Sequence, residues 1–96
     1  MYFAISCIDK AGALELRMAN RPDHIDFLKA NAAAVKFAGP YLSEDGEAMT
    51  GSLIILEVAD RAAAEAFAEA DPYAIAGLFE SREIRPWKWA IGNPDA

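Results

Sequence analysis

The chain has a single histidine, His24, and imidazole is the side chain best suited to moving a proton near neutral pH. His24 stands in Arg21-Pro22-Asp23-His24, four residues before Leu28. On a helix that begins at Pro22 it falls on the flank of an Ile25–Leu28–Ala32 stripe, partly buried beside whatever that stripe covers. Alone, such a histidine reads as a capping or boundary residue. To act as acid or base it needs a group that fixes its tautomer, and Asp71 is the candidate. Pro72 pushes Asp71 out of helical geometry, between Ala70 and Tyr73. The plainer reading of Asp71 is a turn residue before proline. Ser52 offers a hydroxyl, either as a donor or as the nucleophile of a Ser–His–Asp set. Gly51-Ser52 reads equally well as strand residues that make room. Tyr73 is expected as a cleft wall with a polar tip.

The remaining reactive residues are less informative. Arg17 and Arg21 carry charge suited to a carboxylate or phenolate, but a loop and a helix start are expected to turn them toward water. Cys7 lies within an apolar run and reads as a small buried hydrophobe. One histidine and one cysteine leave a zinc site dependent on carboxylates at unusual spacing, so no metal is expected. No glycine-rich loop precedes a helix, so neither a dinucleotide nor a phosphate-loop fingerprint is present. No cofactor is expected.

Composition bounds the rest. Fifteen carboxylates against nine Lys and Arg give a net charge of −6 over 96 residues. That balance offers no footprint for nucleic acid or an anionic membrane surface. The apolar run at residues 2–8 is interrupted by Ser6 and has no basic segment before it. No stretch approaches the roughly 20 apolar residues that span a bilayer. A soluble, cytoplasmic protein acting on a small molecule is expected, with neither nucleic-acid nor membrane partners. Of the 52 hydrophobic residues, 21 are alanine, which leaves 31 larger side chains for a core. That is lean for a domain of this size.

The elements that must position His24 and Asp71 follow from pattern. Residues 2–8 read as a strand apolar on both faces. Asp9 to Asn20 breaks that pattern, and Pro22 suits the first turn of a helix over 22–34. Residues 35–42 form a short strand, with Gly39-Pro40 marking an edge or a bend. A turn at 43–47 leads to a strand over 49–58, whose Leu53-Ile-Ile-Leu56 core is again apolar on both parities. Asp60 can N-cap a second helix, 61–70, striped with Ala63, Ala66, Phe67 and Ala70. Residues 73–77 fit one further turn. Residues 78–91 are strand-like, with a bend at Pro86 and with Trp87 and Trp89 as core or interface anchors.

The resulting order, βαββαβ, is the ferredoxin-like α+β arrangement in one domain, 1–96. Two helices cover only one face of its four-stranded antiparallel sheet. Because residues 2–8 and 49–58 are apolar on both faces, a second copy of the sheet is expected on the other, making a homodimer. Pattern alone does not fix how the two helix ends bearing His24 and Asp71 lie relative to each other.

Five segments in this order and spacing carry a resemblance: Arg21-Pro22-Asp23-His24 with Leu28, Gly39-Pro40, Gly51-Ser52, Asp71-Pro72-Tyr73 and Ile84-Arg85-Pro86-Trp87. Together they resemble the YCII-related (YciI-like) family over nearly the whole chain. The resemblance implies a dimeric α+β barrel built from ferredoxin-like subunits. It also implies a His–Asp pair in a cleft, proposed as catalytic, whose matching positions are His24 and Asp71. Gly39, Pro40, Gly51, Ser52 and Tyr73 would line that cleft. Some members of the family look like dehydrochlorinases of chlorinated hydroxyquinols, and the wider barrel superfamily includes lactone isomerases and monooxygenases. Two functions are thus expected: proton-transfer catalysis by the dyad, of lyase, isomerase or hydrolase type, or a non-catalytic small-molecule-binding or regulatory module using the same cleft.

Overall fold

The computed structural model describes residues 1–95. Its elements run β1 (Tyr2–Asp9), α1 (Leu14–Ala30), β2 (Val35–Leu42), β3 (Met49–Glu57), α2 (Arg61–Ala70), α3 (Pro72–Ile75) and β4 (Phe79–Trp87). The four strands form one antiparallel sheet in the order β2-β3-β1-β4. This is the expected ferredoxin-like α+β arrangement. Among the described residues no helix is long and apolar enough to cross a membrane.

Alternation along β1 and β3 decides which side becomes the core. Phe3, Ile5 and Cys7 pair with Leu56, Ile54 and Ser52, and all six are buried beneath the helices. Ala64 and Ala68 of α2 seat on this layer in place of the expected Ala66 and Ala70, which are exposed, while Phe27 of α1 meets Phe67 of α2 at 4.8 Å between ring centroids. The small alanines let α2 approach the sheet closely, and the two phenylalanines fill the space between the helices. The opposite face carries Tyr2, Ala4 and Ser6 from β1, beside Leu53 and Ile55 from β3. Its far end gathers Tyr2, Phe37, Trp87 and Trp89 into an aromatic group with centroids 5.0–6.1 Å apart.

Three expected boundaries move. The first helix begins at Leu14, eight residues before Pro22, so the proline lies inside it, and it ends at Ala30, short of the expected 34, which leaves Ala32 in the turn that follows. Leu14 to Ala19 are all strong helix formers, and their summed propensity carries the helix through the loop expected there. Pro22 has no N–H for the Met18 carbonyl, but Met18 and Pro22 are both exposed, so water can meet that carbonyl. At the other end β4 stops at Trp87, and Trp89 follows it outside the strand. The bend expected at Pro86 does not interrupt the strand. Pro86 lies on an edge strand, where a missing N–H breaks no ladder.

Gly51 is required by close packing. A Cβ there would collide with the Cys7 carbonyl oxygen and the Tyr41 ring. Without it, the Tyr41 side chain crosses β3 on the open face and its hydroxyl meets Ser6 Oγ on β1 at 2.9 Å.

Cys7 is 2% exposed, and burial, reinforced by the Asp71 carboxylate, pushes its thiol up to about 12. Because the thiolate is the nucleophile, the folded protein is expected to resist iodoacetamide at pH 8 and to alkylate readily once unfolded in urea. Rapid labelling of the native protein, followed by mass spectrometry, would contradict this placement.

Candidate active site

Arg17, Arg21, His24 and Leu28 recur at four- and three-residue steps and therefore share one face of α1. Two of them, Arg17 and His24, are buried. This helix thus turns a polar face inward at its N-terminal half, which demands partners for each buried group.

Arg17 finds three. Its Nε donates to Asp9 Oδ2 at 2.7 Å and its Nη2 to Asp9 Oδ1 at 3.0 Å, a two-pronged ion pair. Nη2 also donates to Ser52 Oγ at 2.8 Å. Finally, the guanidinium carbon lies 4.5 Å from the centroid of the Tyr73 ring. Burial works to lower the Arg17 pKa, but the hydrogen bonds and charge of Asp9 outweigh it and hold the group above its ordinary value.

His24 Nδ1 lies 2.8 Å from Asp71 Oδ1, and both side chains are buried. The same oxygen accepts the Tyr73 backbone N–H at 2.9 Å, so Asp71 caps α3 while holding the imidazole. A carboxylate only accepts hydrogen bonds; Nδ1 therefore carries the shared proton and Nε2 is the ring nitrogen left for other work. The His24 ring stacks on Tyr73 with centroids 3.9 Å apart and planes 17° from parallel. Burial raises the Tyr73 phenol above its ordinary value, against the pull of Arg17 and Arg21.

The backbone that presents Asp71 and Tyr73 is closed at both ends. Pro72 starts α3, and Gly77, at φ 76°, ends it. The Leu78 N–H reaches the Tyr73 carbonyl at 3.1 Å and the Gly77 N–H reaches Ala74 at 3.0 Å. That pair of bonds is a Schellman motif, which needs the left-handed residue glycine supplies.

Between α1 and the β2–β3 side of the sheet lies a cavity of about 180 Å³. His24, Arg21, Ser52 and Tyr73 line it, with Gly39 and Pro40 from β2. Gly51 is not part of this lining; its place is under Tyr41 on the other face. The expectation that Arg17 faces water is corrected, because it is 2% exposed: the longer helix carries it against the two central strands, β1 and β3. Asp9 was not singled out by sequence, and nothing about a lone aspartate after a strand would have singled it out. Arg17 did leave a signal, since it precedes His24 by seven residues, two helical turns.

A model of the YCII-related domain matches residues 1–88. The chain belongs to the YCII family. Among YCII relatives, the protein YciI of Escherichia coli O6:H1 is 36% identical over 95 residues, covering 92% of this chain and 97% of the relative. An uncharacterised protein of Haemophilus influenzae is 34% identical over the same shares. Of solved structures, this YCII domain is similar to 5-chloro-2-hydroxyhydroquinone dehydrochlorinase (TftG) from Burkholderia phenoliruptrix, in complex with 2,5-dihydroxybenzoquinone. The TM-score is 0.85 at 34% identity, over 92% of this chain and 94% of that one. A protein from Agrobacterium tumefaciens shares the fold at a TM-score of 0.57 and 24% identity, covering 98% of both chains.

The Arg17–Asp9 pair is buried on both sides, with side-chain exposures of 2% and 7%. Removing one partner strands the other charge, a change worth roughly 3–5 kcal/mol. Asp9→Ala is therefore expected to lose about that much stability in urea denaturation. A loss under about 1 kcal/mol would show that the guanidinium is compensated by other means.

Proposed function

We propose that this protein is a small enzyme that uses His24 and Asp71 for acid–base proton transfer on a small hydroxylated aromatic or quinol. The observation that carries the reading is the buried Nδ1–Asp71 contact at 2.8 Å on a histidine that lines a cavity. Asp71 fixes the tautomer and stabilises the imidazolium that forms; Nε2 takes the proton. The structural likeness to a dehydrochlorinase supports this substrate class.

For a chlorinated hydroxyquinol the chemistry balances without an oxidant. Nε2 accepts a hydroxyl proton and returns it to the chlorine-bearing carbon, giving the keto form. A second hydroxyl then loses its proton as the C–Cl electron pair departs with chloride. Hydrogen chloride is the sum of what is lost, and the ring passes from quinol to quinone. The same first two transfers, without a leaving group, amount to an isomerisation.

The direct test is chloride release and quinone absorbance from 5-chloro-2-hydroxyhydroquinone and related hydroxyquinols. His24→Ala and Asp71→Asn are each expected to lower turnover by about 10²–10⁴-fold while circular dichroism stays native. Undiminished turnover in His24→Ala would remove the dyad as the basis of activity. Binding of 2,5-dihydroxybenzoquinone with no turnover of any hydroxyquinol would favour a binding or regulatory module in the same cleft.

We also propose that the protein works as a homodimer, a second copy covering the open face of the sheet. Ala4, Leu53 and Ile55 lie on that face, and Phe37 and Trp87 are 42% and 36% exposed at its end. Sedimentation at micromolar concentration is expected to give twice the monomer mass; a monomer would end the idea.

A further inference from the structure

Leu14 precedes Arg17 by three residues, so it continues the face of α1 that carries Arg17, Arg21 and His24. The cavity already described occupies the His24 end of that face. At the Leu14 end, about 10 Å along the helix from Arg21, lies a second hollow of about 280 Å³. Ile8, Ala11, Ala13 and Leu14 line it from one side, Ala48 and Met49 from the other. Small residues around the Gly12 turn leave this space unfilled.

The polar groups at the hollow are engaged elsewhere or lie in water. Asp9 spends both carboxylate oxygens on Arg17, the Lys10 ammonium lies beside Gly77 at the end of α3, and Thr50 is exposed. What remains is apolar, and Ile8 and Leu14 stay 44% and 43% exposed.

Two features separate the hollow from the cavity. One is the Asp9–Arg17 ion pair, since Asp9 lines the hollow and Arg17 the cavity; buried and doubly hydrogen-bonded, it is fixed. The other is Met49, which lines both spaces and is half-buried. The β2–β3 ladder slips register between Tyr41 and Leu42, opposite Met49, and such a break re-aims the side chain it carries. An unbranched thioether moves without the backbone following. Met49 is thus the soft part of the partition.

We propose that the two spaces form one bipartite site: the cavity takes a hydroxylated ring, and the hollow takes an apolar alkyl or alkenyl substituent of that ring, threaded past Met49. Together they reach the roughly 300–1,000 Å³ of ordinary small-molecule sites, which the cavity alone falls short of. The subsite rests on the ring class proposed above and adds a second recognition element with residues of its own, Ile8, Leu14 and Met49.

Absorbance titration with 2,5-dihydroxybenzoquinone and with its 3-hexyl derivative tests this without turnover. Each buried methylene tightens binding about fourfold. Ordering the chain takes back part of that gain, so wild type is expected to prefer the hexyl derivative by at least about tenfold. Leu14→Gln keeps a good helix former at an exposed position and is expected to cut the preference to within about threefold. Met49→Phe, which fills the passage with a stiffer side chain, is expected to do the same. The readout is the ratio of the two affinities, so a change in ring binding common to both probes cancels. Equal affinities in the wild type, or a tenfold preference that survives Leu14→Gln, would overturn the proposal. A surviving preference with a Leu14→Gln protein that sediments at half the wild-type mass would instead make the hollow a contact between copies. Binding of the parent quinone without any preference removes the subsite alone; failure of either quinone to bind removes the ring class and the subsite with it.

Discussion

The organisation of the cavity depends on a buried guanidinium. Arg17 sits where α1 crosses the sheet, and its charge is tolerable there only because Asp9 meets it with both oxygens. Once fixed, it reaches Ser52 on β3 and the Tyr73 ring beyond α2. Three segments far apart in sequence are thereby set against one side chain. The Tyr73 ring in turn supports His24 by stacking. The ion pair touches neither nitrogen of the histidine, yet the position of the imidazole follows from it.

Asp71 supplies the second constraint by serving two structures with one oxygen. It caps α3 through the Tyr73 N–H and holds His24 Nδ1. A carboxylate already fixed by a backbone donor loses little further freedom when it orients the ring. Pro72 and the Gly77 turn stiffen the same short segment from either side. The dyad is thus built on a peptide stretch that has few alternatives.

Much of this was legible in the residues. Two-sided apolar strands, the Asp60 cap and the Asp71-Pro72 stop placed the sheet and α2, and Asp60 does accept the Ala63 N–H at 2.9 Å. The chemistry of His24 and Asp71 makes them candidates, but it is the family resemblance that pairs them, since pattern does not set how two helix ends meet. Pro22 misled because a proline at a helix start and one inside a helix look alike when the carbonyl it orphans faces water. A helix begun at Pro22 leaves Arg17 outside it, and Arg17 shares a face with His24 only when the helix extends back two turns. Asp9 stayed hidden for a different reason: its role is defined wholly by a partner eight residues away that packing turns inward. Gly51 looked like part of a cleft and instead makes way for Tyr41.

The two outer strands, β2 and β4, each carry a proline within their span, Pro40 and Pro86. A proline interrupts the row of free N–H groups that an incoming strand would need. The sheet is therefore closed to lateral growth, whether by a peptide added as a fifth strand or by runaway stacking of edges. What the edges exclude leaves the broad face, where side chains rather than backbone would select a neighbour.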